Sequence, residues 1–492
     1  MTAEPEAGAA EPRLLVPTLL FIALLTAAVG SLGAPLITSV ATTFRVSLAS
    51  AQWTLTITLL TGAVTAPLLG RLGAGPYRRG TILGTLGIVV AGSALTVLPL
   101  SFGWLLVGRG CQGVGLGTVA LIMGVARDQL PEDRSSGVVA FVSVASTIGI
   151  GVGYPLAGLL VEIGGVRAAY ALGLFATALA LGAAAVSIPR ALAGRSSRLD
   201  IPGALLLAAG LAALLLVISE TGLWSRQRGA AVALCAGAAA LLVVWALHER
   251  RAPAPLVDVR LLRNRAVAGA NLVMVVGGVG MYLLLTLITR YSQTPHGASY
   301  ESGVGYGFGL TTFVSGLVLV PFSALGFVAG KVTPGLRARL GTPLLLAVSA
   351  AIVLVAFACF AVARGSLVEL LAEMGVLGFG VGSFSAAMPA VILAVTPKSE
   401  TSSAMSFNQV VRTVGFSLGS AVGGLVLAAG TSAGRVFPSD GSYTTAAWIG
   451  AATMTITAAI SVTLSRPGTG PAPGPAPVGT TPPAAGSERP AR

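Results

Sequence analysis

The chain has 492 residues, of which 54% are hydrophobic and only 10% charged, and its mean hydropathy is +0.87. A soluble domain carries about 25% charged residues, so the composition excludes a soluble globular protein and predicts an all-α polytopic membrane protein. The net charge of +13 is then expected in cytoplasmic loops, not on a nucleic-acid-binding face.

Hydropathy predicts fourteen membrane spans, at 14–38, 50–70, 80–99, 104–126, 137–161, 166–188, 201–221, 229–248, 266–289, 307–330, 342–363, 366–393, 403–428 and 444–465. Residues 1–13 hold Glu4, Glu6 and Glu11 and no basic n-region, so the first span is expected to serve as the insertion signal. Residues 466–492 are rich in Pro, Gly and Ala and predict a disordered tail. Cys111, Cys235 and Cys359 all fall within apolar segments without metal-ligand spacing, which makes them packing residues.

Orientation follows from basic residues. With the N-terminus inside, twenty-one of the thirty Lys and Arg fall in cytoplasmic segments and seven in external ones. That bias predicts both termini in the cytoplasm. The remaining two, Arg109 and Arg412, lie within spans.

Span 4 carries Arg109, with Gln112 one turn on and glycines at 108, 110, 113, 115 and 117. An arginine in such a segment costs about 2.5–3.5 kcal/mol on the insertion scale. Two readings stand: a cavity charge that binds an anion or tunes a carboxylate, or a fixed charge hydrogen-bonded to backbone. In span 12, Glu369 and Glu373 are four residues apart on one face. Span 13 carries Arg412 one turn after Asn408 and beside Gln409, either a polar patch facing substrate or a packing-locked group.

An internal repeat orders these residues. Pro131–Gly158 matches Pro397–Gly424 at an offset of 266, pairing Ser136 with Ser402, Phe141 with Phe407, Gly149 with Gly415, and Gly153 with Gly419. Gly113-Val-Gly-Leu-Gly matches Gly378-Phe-Gly-Val-Gly at 265. Both copies start on the same side, so they predict two parallel six-helix halves, 14–188 and 266–465, with two extra spans in the linker 189–265. The repeat sets Arg109 opposite Met374 and Glu373 opposite Gly108, at nearly equal depth, and Arg412 opposite Ser146. The ladder Gly149, Gly153, Gly415 and Gly419 predicts close helix contact across the repeat interface, a hinge or gate surface.

These halves resemble the major facilitator superfamily, and the motifs point to its fourteen-spanner drug:proton antiporter group. Leu106-Val-Gly-Arg-Gly-Cys-Gln-Gly resembles the fourth-helix motif, and Gly149-x3-Gly153-Tyr-Pro155-x2-Gly158 is similar to the antiporter motif of the fifth. Tyr154 and Ala157 depart from it. Gly70–Arg79 resembles the loop between helices 2 and 3, and Trp53 and the stretch Pro255–Arg263 also match the group. The loop's usual acid is Ala74 here, so the resemblance leaves Arg71, Arg78 and Arg79 to latch the cytoplasmic side through Asp128. The group's helix 1 acid is Thr26 here. The resemblance therefore implies an exporter of small amphiphilic organic compounds working by alternating access and proton antiport, with Glu373, then Glu369, as the candidate proton sites and Arg109 across the cavity.

No phosphate-binding loop, nucleophile or metal-ligand constellation is visible, so no enzyme activity, cofactor or metal is expected. The expected partners are a small-molecule cargo, protons and the bilayer, with no nucleic acid and a monomeric chain. An uncoupled metabolite or organic-anion facilitator and a non-transporting membrane sensor are the alternatives.

Overall fold

The computed structural model describes residues 14–464 apart from 47, 74–76, 99, 190–199, 220–222, 225–226, 254, 256–258, 261–264, 297–304, 395, 397–400 and 432–436. The two tails, Ala74, Pro397 and part of the linker motif Pro255–Arg263 therefore lie outside the described residues.

The described residues form sixteen α-helices. In chain order they are α1 (Leu15–Ser31), α2 (Gly33–Phe44), α3 (Leu48–Leu72), α4 (Arg78–Val97), α5 (Phe102–Val114), α6 (Thr118–Gln129), α7 (Glu132–Ser187), α8 (Ile201–Ser219), α9 (Arg228–Glu249), α10 (Arg265–Gln293), α11 (Thr312–Leu317), α12 (Val320–Leu340), α13 (Thr342–Val362), α14 (Leu367–Leu393), α15 (Thr401–Ala429) and α16 (Asp440–Thr463). Local chemistry starts several of them. Ser366 and Glu369 form a reciprocal capping box at α14, and the Thr311 hydroxyl accepts from Val314 N–H at α11.

By length and apolarity, eleven helices among the described residues are able to cross a membrane, or twelve if the bent α1–α2 pair is one span. This is fewer than the fourteen expected from hydropathy, and three features account for the difference. The α1 and α2 axes differ by 43°, next to Pro35, which has no N–H to give the Ser31 carbonyl. Helix α8 is short, with an apolar stretch of Ile201–Val217. Helix α7 counts once although its 56 residues would extend about 84 Å if straight, far beyond a hydrocarbon core of about 30 Å. It is broken at Gly164 and at Gly165, where φ is 70°, a left-handed backbone that suits glycine. Ala157 and Tyr170, on either side of the break, belong to one apolar cluster with Leu36 and Leu105, so the chain folds back there.

The repeat is visible in the packing. A Cβ at Gly113 would collide with the Thr58 carbonyl of α3, and a Cβ at its counterpart Gly378 with the Phe322 carbonyl of α12. Likewise Gly149 lies against the Leu24 carbonyl of α1, and Gly415 against that of Val275 in α10. Such small residues let helix backbones approach in lipid, where no hydrophobic drive joins helices.

Helices α8 and α9 pack side by side, Leu242 lying over Gly210. Leu207, Leu211 and Trp245 share a cluster with Ala63 and Ala66 of α3 and Val410 of α15. The Trp245 ring stacks on Phe407 at 6.4 Å. The pair thus covers the seam between α3 and α15.

Candidate functional site

A cavity lies between the N-terminal and C-terminal helices. One wall is α1, α3, α6 and α7, through residues such as Gly30, Leu59, Val119 and Ser146. The other is Tyr282 of α10 with Gln409, Arg412, Thr413 and Phe416 of α15. The α15 residues are spaced three to four apart, so they share one helical face.

Among the lining residues Arg412 alone carries a charge. It is half-buried, and its one hydrogen bond among the described residues is a long one, Nη1 to Ser146 Oγ at 3.4 Å. Its guanidinium lies over the Phe416 ring, 5.7 Å from the centroid. Phe416 in turn stacks on Tyr282 at 5.1 Å and 23°. Through Ser146 of α7, Arg412 bridges to the N-terminal helices.

Arg109 is placed differently. It is fully buried and does not line the cavity. Nε donates to the Thr54 carbonyl at 3.0 Å, Nη1 to that of Val29 at 2.9 Å and to Gln112 Oε1 at 2.6 Å, and Nη2 to the Gly30 carbonyl at 3.0 Å. Gln112 Nε2 then donates to Ser93 Oγ at 3.0 Å. The Tyr170 ring covers the guanidinium at 5.9 Å. Of the two readings open in the sequence, this geometry is that of the fixed charge: Arg109 ties α3 and α4 to the carbonyls just before the α1–α2 bend. None of its hydrogen bonds goes to Glu373.

The two glutamates of α14 also separate. Glu369 Oε2 accepts from the Ser366 N–H at 2.9 Å as part of the capping box. Glu373 is buried at 3% exposure, and neither of its oxygens has a hydrogen-bond partner among the described residues. It does not line the cavity. Asn408 is buried and donates to Asn271 Oδ1 of α10 at 3.3 Å, a link between neighbouring helices. The Thr26 hydroxyl is used within its own helix, donating to the Ile22 carbonyl at 2.8 Å.

The glycine ladder packs within each set of helices and not across the interface expected from the sequence. Gly149 and Gly153 lie on α1, and Gly415 and Gly419 on α10. Repeat partners sit on equivalent neighbours, so the ladder fixes each half internally. Pro155 does reach across, lying against Gly316 of α11.

At the end of the bundle that holds the α3–α4 loop, Arg78 pairs with Asp128 and donates to the Gly73 carbonyl. Arg79 Nη2 donates to the Ala185 carbonyl at 2.6 Å. Arg71 closes α3, half-buried. Arg78, Arg79 and their partners all belong to the N-terminal helices. The residue that crosses to the C-terminal helices is Arg127, absent from the latch expected in the sequence. Its Nη1 donates to Thr401 Oγ1 at 2.7 Å, and Nη2 to the carbonyls of Thr396 at 3.0 Å and Leu393 at 3.2 Å. Gly70 against Ser406 and Gly124 against Ser402 pack the same end closed. Tyr282 and Phe416 were likewise missed; the spacing of Gln409, Arg412 and Phe416 signalled a shared face, but nothing in the sequence set Tyr282 beside it.

A family model of the Major Facilitator Superfamily matches residues 19–376. The multidrug resistance protein Stp of Mycobacterium tuberculosis is 27% identical over 382 residues, covering 76% of this chain and 67% of that protein. The multidrug resistance protein B homolog of the same species is 31% identical over 262 residues, covering 51% and 47%. The cephamycin export protein CmcT of Amycolatopsis lactamdurans is 29% identical over 314 residues, covering 62% and 61%. Among solved structures, the human organic anion transporter MFSD10 (TETRAN) has the same fold, with a TM-score of 0.61 over 94% of this chain and 99% of that one at 16% identity.

Proposed function

Since the chain belongs to the major facilitator superfamily and is a membrane transporter, not an enzyme, we propose that it exports small amphiphilic organic compounds by alternating access. The carrying observation is the cavity between the N-terminal and C-terminal helices, packed closed at one end by Arg127 and the Gly70–Ser406 contact. Such a cavity exposes itself to one side at a time when two bundles rock about it. Export as the direction, and drug-like cargo, draw support from relatives named for multidrug resistance and cephamycin export.

In this reading the chain crosses the membrane fourteen times, as two six-helix bundles with α8 and α9 inserted between them. The fold-back at Gly165 in α7 supports the higher count. The excess of basic residues on the side of the α3–α4 loop supports cytoplasmic termini. The end closed by Arg127 is then the cytoplasmic one.

Proton antiport is the proposed drive, with Glu373 as the acid. A buried, unpartnered carboxylate is costly, whereas the neutral acid is tolerated far better. A carboxyl in that position is suited to hold its proton while sealed and release it when rocking admits water. Arg127 forms the cytoplasmic latch, and Arg78 with Asp128 braces the N-terminal side of it.

The test is expression in a bacterial host stripped of its own exporters. Accumulation of a panel of fluorescent amphiphiles is expected to fall below that of an empty-vector strain. Equal accumulation across the panel, with the protein present in the membrane, contradicts export.

A further inference from the structure

The charge and shape of the cavity narrow the cargo. We propose that the cavity selects amphiphilic organic anions, with a carboxylate or sulfonate seated on the Arg412 guanidinium and an aromatic body against Phe416 and Tyr282. This rests on the transport reading above and names the substrate class of the same site.

Three observations carry it. First, among the described residues lining the cavity, Arg412 is the one with a charge and none is a carboxylate. A cationic cargo would meet an uncompensated positive charge in a low-dielectric space, where like charges repel strongly. Second, Arg412 is underused. A guanidinium has five N–H donors, and a single 3.4 Å bond to Ser146 occupies one of them. Arg109, two spans away from any such role, shows the contrast: its guanidinium makes four hydrogen bonds between 2.6 and 3.0 Å. One arginine is finished as a structural part and the other is left with donors to spare. Third, Arg412 lies over Phe416. Stacking uses the face of the guanidinium and leaves its edge for a two-pronged grip on a carboxylate or sulfonate. The Phe416–Tyr282 stack extends an aromatic surface from that point, and Gln409 and Thr413 on the same helix face supply neutral polar groups.

The test is equilibrium binding of 2-naphthoate and its neutral twin 2-naphthamide to the full chain in phosphatidylcholine nanodiscs, with empty nanodiscs subtracted. The two probes share shape and differ in charge. The wild-type protein is expected to bind naphthoate about tenfold more tightly than naphthamide, as a charge-assisted pair implies. Arg412→Gln is expected to bring naphthoate down to the naphthamide level, and a melting temperature within a few degrees of wild type shows that the variant is folded. Arg412→Lys keeps the charge without the fork and is expected to retain part of the preference. Equal binding of the two probes, binding of neither, or a preference that survives Arg412→Gln overturns the proposal. No gradient or transport is involved, so a failure here combined with active efflux in the stripped host removes the anion preference and leaves the export reading standing.

Discussion

Arg412 touches Ser146, and the two are repeat partners: they are 266 positions apart, the offset of the internal repeat, and Nη1 lies 3.4 Å from Oγ. Equivalent positions of two parallel copies meet only beside the axis that relates them. The contact therefore sets the cavity on that axis. At this contact inside the cavity, one copy contributes a hydroxyl and the other a guanidinium. The symmetry of the scaffold is broken in charge where a cargo would sit.

The two intramembrane arginines are expected to behave oppositely when mutated. Arg109→Gln strips donors from the carbonyls of Val29, Gly30 and Thr54, and each buried acceptor left unsatisfied costs about 1–3 kcal/mol. A large fall in melting temperature of the detergent-purified protein checks this. Arg412→Gln, with one long bond to lose, is expected to melt within a few degrees of wild type.

Arg127 is expected to hold the closed end. Its hydrogen bonds to Thr401, Thr396 and Leu393 join the two sets of helices. Replacement by alanine is expected to weaken closure by about 1–2 kcal/mol, or roughly 5- to 30-fold in the open-to-closed ratio. In a chain with its three native cysteines replaced, a Ser402→Cys reporter, buried against Gly124, is expected to react faster with maleimide when Arg127→Ala is added. An unchanged rate contradicts a closing role.

The glycine ladder is expected to matter for assembly within each half. Gly149→Val and Gly415→Val push a branched side chain into the backbone of α1 and α10 respectively, and overpacking typically costs about 1–3 kcal/mol. Gly137→Val, where a Cβ meets nothing within 4 Å, is the control expected to leave the melt unchanged.

Much of this architecture was legible in the chain because lipid imposes long apolar helices and a strict charge bias between loops. The repeat was legible in glycines such as Gly113 and Gly378, which sit where helix backbones touch. What was not legible was partnership. Arg109 and Glu373 shared a depth, but depth does not say which way a side chain turns. Arg109 turned toward the Val29 and Gly30 carbonyls just before the α1–α2 bend, which no motif near Arg109 marks. Glu369 and Glu373 share a face of α14, yet the capping box with Ser366 takes Glu369 alone. Arg127 gave no warning because its acceptors are mostly backbone carbonyls, which any sequence supplies.

The proposed proton coupling runs through Glu373, a buried carboxyl with no hydrogen-bond partner among the described residues. The direct measurement is proteoliposome transport of a dye exported by the wild-type protein, driven by an imposed pH gradient and compared with dye-for-dye exchange without a gradient. Glu373→Gln is expected to abolish the gradient-driven component and keep exchange, while Glu369→Gln, which still caps α14, keeps both. A Glu373→Gln protein that follows the pH gradient as well as the wild type would contradict the account.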